Sequence, residues 1–309
     1  TMKYINIYIC SLFITFTSSA QPLQKVEKGK IVRIENLNST YIGSRNIDIW
    51  LPEDYSKKHK YAVLYMQDGQ MMFDPTTTWN KKAWEIDKRI SHLKNDNKIK
   101  DVIVVGIWNG DKKRHSEYFP QQPFDDLNAL EKNIINGASR NNTTSVFNGF
   151  AINSDNYLKF IVEELKPIID KKFNTKTNRA NTFIGGSSMG GLISIYAICE
   201  YPKIFGGAMC MSTHWPGIFV VENNPFPDAF INYLSHKLPN PKKHKIYFDC
   251  GDKTLDALYP PIQMKVDALM KSKNYSEKNW LSNYFKGQDH SEGSWSSRVE
   301  IPLLFLLQN

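Results

Sequence analysis

Cysteine is scarce in this chain: four residues, Cys10, Cys199, Cys210 and Cys250, among 309. The three that follow the N-terminal segment are odd in number and each sits inside an apolar stretch, which excludes a disulfide framework and reads as core. C-x-x-C pairs and His-rich spacings are also missing, so no metal site is expected. The apolar run near the N-terminus, "INIYICSLFITF", stops well short of the ~20 residues that span a bilayer. With Lys3 before it and "SSA" ending at Ala20 after it, it reads as an export leader over residues 1–20. The mature chain would then start near Gln21, be periplasmic or secreted, and have no stable membrane insertion.

Acidic residues are the minority charge: 31 against 39 Lys and Arg, a formal net charge of +8, which falls to +7 when Lys3 leaves with the leader. The cations are scattered, as in "DKKRH", "KPIIDKKF" and "NPKKHK", and are not interleaved with aromatics along one element. That pattern is a solvated surface, and no nucleic-acid partner is expected. Internal repeats and a dividing linker are absent too, so residues 21–309 are expected to form one domain with a full core.

What is present is an alternation of short β-rich runs with longer helical ones. Strands are predicted at "IVRIEN", "RNIDIWL", "YAVLYMQ", "DVIVVGI", "NTFIGG", "GAMCMS", "KIYFDC" and "NYFKG". Helices are predicted at "AWEIDKRISHLK", "NYLKFIVEELKPIIDKKF", "GLISIYAICE", "PIQMKVDALMKS" and a closing "WSSRVEIPLLFLLQ". Runs such as "DVIVVGI" are continuous rather than alternating, as strands covered on both faces are. The expectation is an α/β doubly wound sheet of about eight mostly parallel strands, with helices on both faces and the earliest strands antiparallel. Two segments break the rhythm. Residues 119–154 are polar and Asn-rich and read as a functional loop or lid, and residues 213–243, with five prolines, form a second excursion.

The stretch "TFIGGSSMGGLISIYAICE" places Gly186-Ser187-Ser188-Met189-Gly190 between a predicted strand and a predicted helix. A bare G-x-S-x-G is a weak signal, but in this context it is a nucleophile elbow. The turn is so tight that side chains two before and two after the central serine would collide, which lifts Ser188 on a strained corner. A serine nucleophile needs a base, and in this architecture the chain order is Ser, acid, His. Of His214, His236, His244 and His290, only His290 falls in a loop between the last strand and the last helix, "NYFKGQDHSEGSW". His236 and His244 flank "KLPNPKK" and read as exposed, whereas His214, in "MSTHWPG" after a strand end, stands as a rival base. The acid should follow "KIYFDC", where Asp249, Asp252 and Asp256 all qualify; its task is to hold the imidazole tautomer. Asp256 lies far enough into the loop to reach across to His290. An oxyanion hole would take one N–H from Met189 and one from the loop "MQDGQMMFD", where Gly69 lets the backbone close in and Gln70 supplies the donor.

Taken with "VLYMQDGQMMFD", "VVGIWNGDKKRHSEYFP", "GGSSMGGLIS" and "GQDHSEGSW", the chain resembles a bacterial esterase family of α/β-hydrolases from about residue 30 to 305. That family includes enterochelin-type siderophore esterases, carbohydrate esterases that remove feruloyl or acetyl groups, and esterase D. The resemblance implies an α/β-hydrolase fold, no cofactor, and carboxylic ester hydrolysis through Ser188, His290 and an acid. It maps the acid onto "GDKTLDALY", at Asp256, with Asp252, closer to the glycine, as the alternative. It also marks an R-x-x-[ED]-Y-x-P element, Arg114, Glu117, Tyr118 and Pro120, that would shape an acyl or polyol pocket. A surface salt bridge from Arg114 to Glu117 is the plainer reading of the same residues. Trp215 and Trp295 join Arg114 as substrate-binding candidates, although rings of that size more often fill a core.

The polar loops and Arg114 suit a small-molecule or oligosaccharide ester that is hydroxyl-rich or partly anionic, in place of a lipid. Acyl esters of carbohydrate come first, and the triester of a catecholate siderophore second. Acyl transfer uses the same parts, and a non-catalytic binding protein on the same fold is the alternative of another class.

Overall fold

The computed structural model describes residues 21–139, 144–219 and 222–309; the expected export leader lies outside them. Eight strands form one sheet: β1 (Lys30–Leu37), β2 (Arg45–Leu51), β3 (Ala62–Met66), β4 (Val102–Ile107), β5 (Thr182–Ser187), β6 (Gly207–Met211), β7 (Lys245–Cys250) and β8 (Trp280–Tyr284). Their order across the sheet is β1-β2-β4-β3-β5-β6-β7-β8. β2 is antiparallel to both its neighbours and the remaining pairs are parallel, so among these strands β2 alone is reversed.

The helices are α1 (Ile86–Asn95), α2 (Arg114–Tyr118), α3 (Gln121–Asp125), α4 (Ala129–Asn136), α5 (Ser154–Lys159), α6 (Lys166–Lys172), α7 (Met189–Glu200), α8 (Phe226–Lys237), α9 (Pro260–Ser272), α10 (Glu292–Arg298) and α11 (Glu300–Leu307). A π-helical stretch, Phe160–Leu165, joins α5 to α6. The period of two along each strand splits the core. Val63 and Tyr65 of β3 and Ile103, Val105 and Ile107 of β4 pack under α5 to α9. Ala62, Leu64, Met66, Val102 and Val104 face the other way, against Ile86, Ile90 and Leu93 of α1 and Leu303, Leu306 and Leu307 of α11. Both faces of the central strands are therefore dry, which is why their sequences are apolar without alternation. Among the described residues no helix is long and apolar enough to cross a membrane.

Two expectations are corrected, and two long connections prove to carry helices of their own. The last strand covers Trp280–Tyr284 and not 283–287, because it pairs with β7 from Ile246↔Trp280 to Cys250↔Tyr284 and ends where β7 ends. The closing helix is two, broken at Val299; Pro302 in the first turn of α11 has no N–H to continue the earlier ladder. Within 119–154 lie the short helices α3 and α4, and Thr144, Ser145, Val146 and Asn148 of the same segment line the cavity described below. Asn128 caps α4 through the N–H groups of Leu130 and Glu131, and Glu131 returns a bond to the Asn128 N–H, a capping box in the sequence "NALE". Within 213–243 lies α8, which accepts Pro227 in its first turn, where no intrahelical N–H is required.

Candidate active site

Ser188 is the single residue between β5 and α7, at φ 58° and ψ −125°. A side chain at positive φ is strained, and here both neighbouring elements fix it. Its N–H donates to the Met211 carbonyl at 3.0 Å, and its carbonyl accepts from Leu192 at 3.0 Å and His214 at 3.1 Å. The flanking glycines face a third party: a Cβ on Gly186 would lie 2.9 Å from Gln67 Cβ, and one on Gly190 3.0 Å from the same atom. The elbow is thus tight because Gln67, at the end of β3, is wedged against it. Tyr157 donates from its hydroxyl to Gln67 Oε1 and holds that wedge.

The loop after β3 is clamped from two sides. Asp68 takes the left-handed conformation (φ 56°) and accepts from Arg114 Nε at 2.7 Å, Arg114 Nη2 at 2.8 Å and Asn109 Nδ2 at 2.7 Å. Gly69 presses on β4 so closely that a Cβ would lie 2.3 Å from the Gly106 carbonyl carbon. From behind, Gln24 donates to the Gly69 carbonyl at 2.9 Å and accepts from the Phe73 N–H at 3.3 Å. Gln70 and Met189 both line the same cavity as Ser188. Each lies in the first turn of a helix, where a backbone N–H has no intrahelical acceptor.

His290 stands in the loop between β8 and α10, its N–H on Thr254 Oγ1 at 2.9 Å. Its Nδ1 is 2.5 Å from Asp256 Oδ1. A carboxylate oxygen only accepts, so Nδ1 carries the proton and Nε2 keeps its lone pair. The other Asp256 oxygen accepts from the Gly251 N–H at 2.6 Å and Ser212 Oγ at 2.7 Å. Asp252 instead accepts from the Gly287 N–H at 2.8 Å and Tyr284 Oη at 3.0 Å, on the surface. Of the three acids weighed, Asp256 is the one against His290.

Beneath Asp256 lies a buried polar layer. Arg298 donates from Nη2 to Ser212 Oγ at 2.8 Å and from Nε to Asp249 Oδ2 at 3.1 Å. Ser212 Oγ also accepts from Trp295 Nε1 at 3.0 Å. The Trp295 ring meets the His290 ring edge-on at 5.0 Å and 84°. Burial raises the pKa of Asp249, and Arg298 works against that rise.

The cavity holds about 990 Å³ and is lined by Ser188, Met189, Gln70, His290, Arg114 and Trp295 among others. Arg114 is not paired with Glu117 on the surface, as the plainer reading had it: Asp68 takes the guanidinium, and Glu117 is buried against Arg45. Trp215 is corrected to core. It is 1% exposed, donates to Gln263 Oε1 at 2.8 Å and packs on Phe230 and Phe248. His244 is buried, not exposed, its ring nitrogens 2.9 and 2.8 Å from the Asn240 and Pro202 carbonyls. His214 lines the cavity but among the described residues has no carboxylate partner: its Nδ1 meets Tyr259 Oη at 2.8 Å. Burial, then the nearby His115, His290 and Arg114, push its pKa well below the ordinary value. Sequence reasoning missed Gln67, Ser212, Arg298 and Tyr259. None carries a local motif, although each of Gln67 and Ser212 directly follows a strand.

A serine at a strand-to-helix corner, a histidine held by a carboxylate after the later strands, and a sheet of this order define an α/β-hydrolase. The family model described as "Putative esterase" matches residues 39–300, and the chain belongs to that family; it is a carboxylic ester hydrolase. It is 22% identical over 209 residues to Uncharacterized protein YjcH of Bacillus subtilis (strain 168), covering 67% of each chain. It is 24% identical over 243 residues to an endo-1,4-beta-xylanase/feruloyl esterase of Xylanibacter ruminicola, covering 74% of this chain and 25% of that one. Among solved structures, a ferulic acid esterase aligns with a TM-score of 0.63 at 17% identity over 91% of this chain and 98% of the other. The enterobactin esterase of Shigella flexneri aligns with a TM-score of 0.63 at 15% identity, over 92% and 62%.

Proposed function

We propose that the chain is an exported serine esterase that removes feruloyl or acetyl groups from carbohydrates, with Ser188, His290 and Asp256 as its triad. The observation that carries this is the pairing on one cavity of an elbow serine with a histidine whose Nδ1 is held 2.5 Å from a buried carboxylate. Ser188 Oγ attacks the ester carbonyl carbon while its proton passes to His290 Nε2. The carbonyl oxygen gathers the negative charge under the N–H groups of Met189 and Gln70. His290 then gives its proton to the departing alcohol oxygen, leaving an acyl-serine. Water repeats the sequence and releases the acid, with Asp256 supporting the imidazolium each time. Export rests on the apolar run after Lys3 and the small residues ending at Ala20.

The cavity supports the carbohydrate side of this reading. Among its described lining residues Asp68, Asp111 and Glu292 offset Lys82, Lys112 and Arg114, so the basic surface is not focused at the entrance. The remaining lining includes Asn80, Asn109 and Asn148, and Trp79 on the rim is 84% exposed, a flat face of the kind that receives a sugar ring. The test is fluorophosphonate labelling followed by an ester panel. Wild type should label at Ser188 and Ser188→Ala should not, with turnover of p-nitrophenyl acetate falling by roughly 10⁴-fold or more in the folded variant. On the panel, methyl ferulate or acetylated xylo-oligosaccharide should exceed enterobactin in kcat/KM. Trp79→Ala should raise KM for the oligosaccharide only. Enterobactin turnover a hundredfold above both, falling steeply with salt as a steered anionic substrate does, would move the reading to the siderophore triester.

A further inference from the structure

Residues 21–28 precede the first strand and supply none of the groups used in the chemistry above, yet they are strapped to the back of the loop that follows β3. Arg33 donates from Nη1 to the Gln21 and Pro22 carbonyls at 2.6 and 3.1 Å. The Lys25 N–H donates to Asp74 Oδ2 at 2.9 Å, and the Glu27 and Lys28 N–H groups donate to Asp87 Oδ2 at 2.9 and 3.3 Å. Of these eight residues only Gln24 is buried. Its Nε2 donates to Asp48 Oδ2 at 2.7 Å and to the Gly69 carbonyl at 2.9 Å, while its Oε1 accepts from the Phe73 N–H at 3.3 Å.

We infer that Gln24 is a positioning residue for the oxyanion hole, aiming the Gln70 N–H by holding the carbonyl at the other end of the same peptide unit. The inference rests on the serine-esterase reading. The Gly69 carbonyl and the Gln70 N–H share one plane and, in a trans unit, point in opposite directions. Anchoring the carbonyl from behind therefore sets where the N–H points in front. The other bond to that carbonyl, from the Met72 N–H, is 3.4 Å long, so the 2.9 Å bond from Gln24 is the firmer restraint. A hydrogen bond to a carbonyl also polarises the peptide and makes its N–H a stronger donor. The Gln24 amide has one allowed orientation. The Asp48 carboxylate and the Gly69 carbonyl can only accept, and the Phe73 N–H can only donate, so the NH2 group and the oxygen each have a single place. Asp48 is itself fixed, accepting from Arg33 Nε at 2.6 Å, Arg33 Nη2 at 2.8 Å and Trp108 Nε1 at 3.0 Å. The buried ion pair between β1 and β2 thus reaches the loop through one amide.

The test uses Gln24→Met, which keeps the length of the side chain and removes the amide. On p-nitrophenyl acetate kcat should fall about tenfold with KM within about twofold, less than the loss that follows outright removal of an oxyanion donor. An aryl trifluoromethyl ketone adds to Ser188 Oγ and places its own oxyanion in the same hole, so its Ki should rise by the same factor. Circular dichroism and the urea midpoint give the folded fraction; lost stability alone would lower kcat and leave that Ki unchanged. Wild-type kcat in Gln24→Met overturns the proposal, as does a fall in kcat without a matching rise in the ketone Ki. Should Gln24→Met not fold, Gln24→Asn, polar but one methylene short of the Gly69 carbonyl, is read by the same two outcomes. A wild type in which neither the ketone nor a fluorophosphonate reacts with Ser188 fails the esterase reading, and the role of Gln24 with it. A reactive wild type with an unchanged ketone Ki in the variant fails the role of Gln24 alone.

Discussion

Asp256→Asn is the sharpest single perturbation the site offers, because the structure dictates which way the amide must turn. One carboxylate oxygen faces His290 Nδ1 at 2.5 Å, and the other receives the Gly251 N–H at 2.6 Å and the Ser212 hydroxyl at 2.7 Å. An amide has one oxygen and one NH2 group. Turned so that its oxygen keeps Gly251 and Ser212, it points N–H at His290 Nδ1, and the imidazole must place its own proton on Nε2. That nitrogen can then no longer accept from Ser188. Turned the other way, the NH2 confronts a backbone donor in a buried site, which costs about 1–3 kcal/mol. The first arrangement wins and traps the wrong tautomer, for which a fall in kcat of about 10⁴-fold is the expected scale. Asp252→Asn loses only surface partners, Gly287 and Tyr284, and should keep kcat within about threefold. The assay is kcat on p-nitrophenyl acetate at neutral pH, with circular dichroism to confirm folding. A fall of less than tenfold in a folded Asp256→Asn, or a larger one in Asp252→Asn, would refute the tautomer argument.

Gly69→Ala places a Cβ 2.3 Å from the Gly106 carbonyl carbon and 2.7 Å from the Ile107 nitrogen; the loop must retreat and take the Gln70 N–H with it, so kcat should fall by about 10²-fold with a smaller change in KM. Arg298→Met leaves the buried Asp249 without its cation and should cost about 3–5 kcal/mol in urea denaturation, part of which Asp249→Leu in the same chain should restore. Asp289 has its pKa lowered by the Ser291 and Ser294 hydroxyls. A lowered folded pKa gives stability that is present above the unfolded value near 4 and is lost as pH falls through the folded one. The Tm gap between wild type and Asp289→Asn, measured from pH 6 downward, should therefore close on acidification and not on alkalinisation.

The parts of the fold that were legible are those where local pattern and tertiary role coincide. "VIVVGI" carries no polar side chain because β4 is buried at every position, and no amphipathic alternative competes with that reading. The elbow was legible because its geometry demands glycine two residues to either side of Ser188: a Cβ on Gly186 would lie 3.0 Å from the Gly190 carbonyl carbon, and the distant Gln67 side chain closes the same space. Order along the chain singled out His290, which lines the cavity with Ser188 and meets Asp256. Arg114 was found, but its partner was not: Glu117 is three residues away in sequence, whereas Asp68 is 46 away and closer in space. Trp215 and Trp295 show the limit most plainly. Both are indoles beside strand or loop ends, and only packing decides that one fills the core while the other backs His290.

What stayed hidden shares a cause. The polar layer under the site is assembled from partners 37, 44 and 86 residues apart, as in Ser212 with Asp249, Asp256 and Arg298, and no window of sequence contains such a set. Topology nonetheless brings these residues to one edge. β3, β5, β6 and β7 run in the same direction, and the residues just past their carboxyl ends are Gln67 and Asp68, Ser188, Ser212 and His214, and Gly251 leading to Asp256. Open α/β sheets place their sites at the carboxyl ends of the strands because there the loops from adjacent parallel strands converge. Applied to this chain before any side chain is placed, that rule selects Gln67, Ser212 and His214 alongside Ser188. Motif reading passed over Gln67 and Ser212 and held His214 only as a rival base, although the strand ends bring all three to the same edge as Ser188.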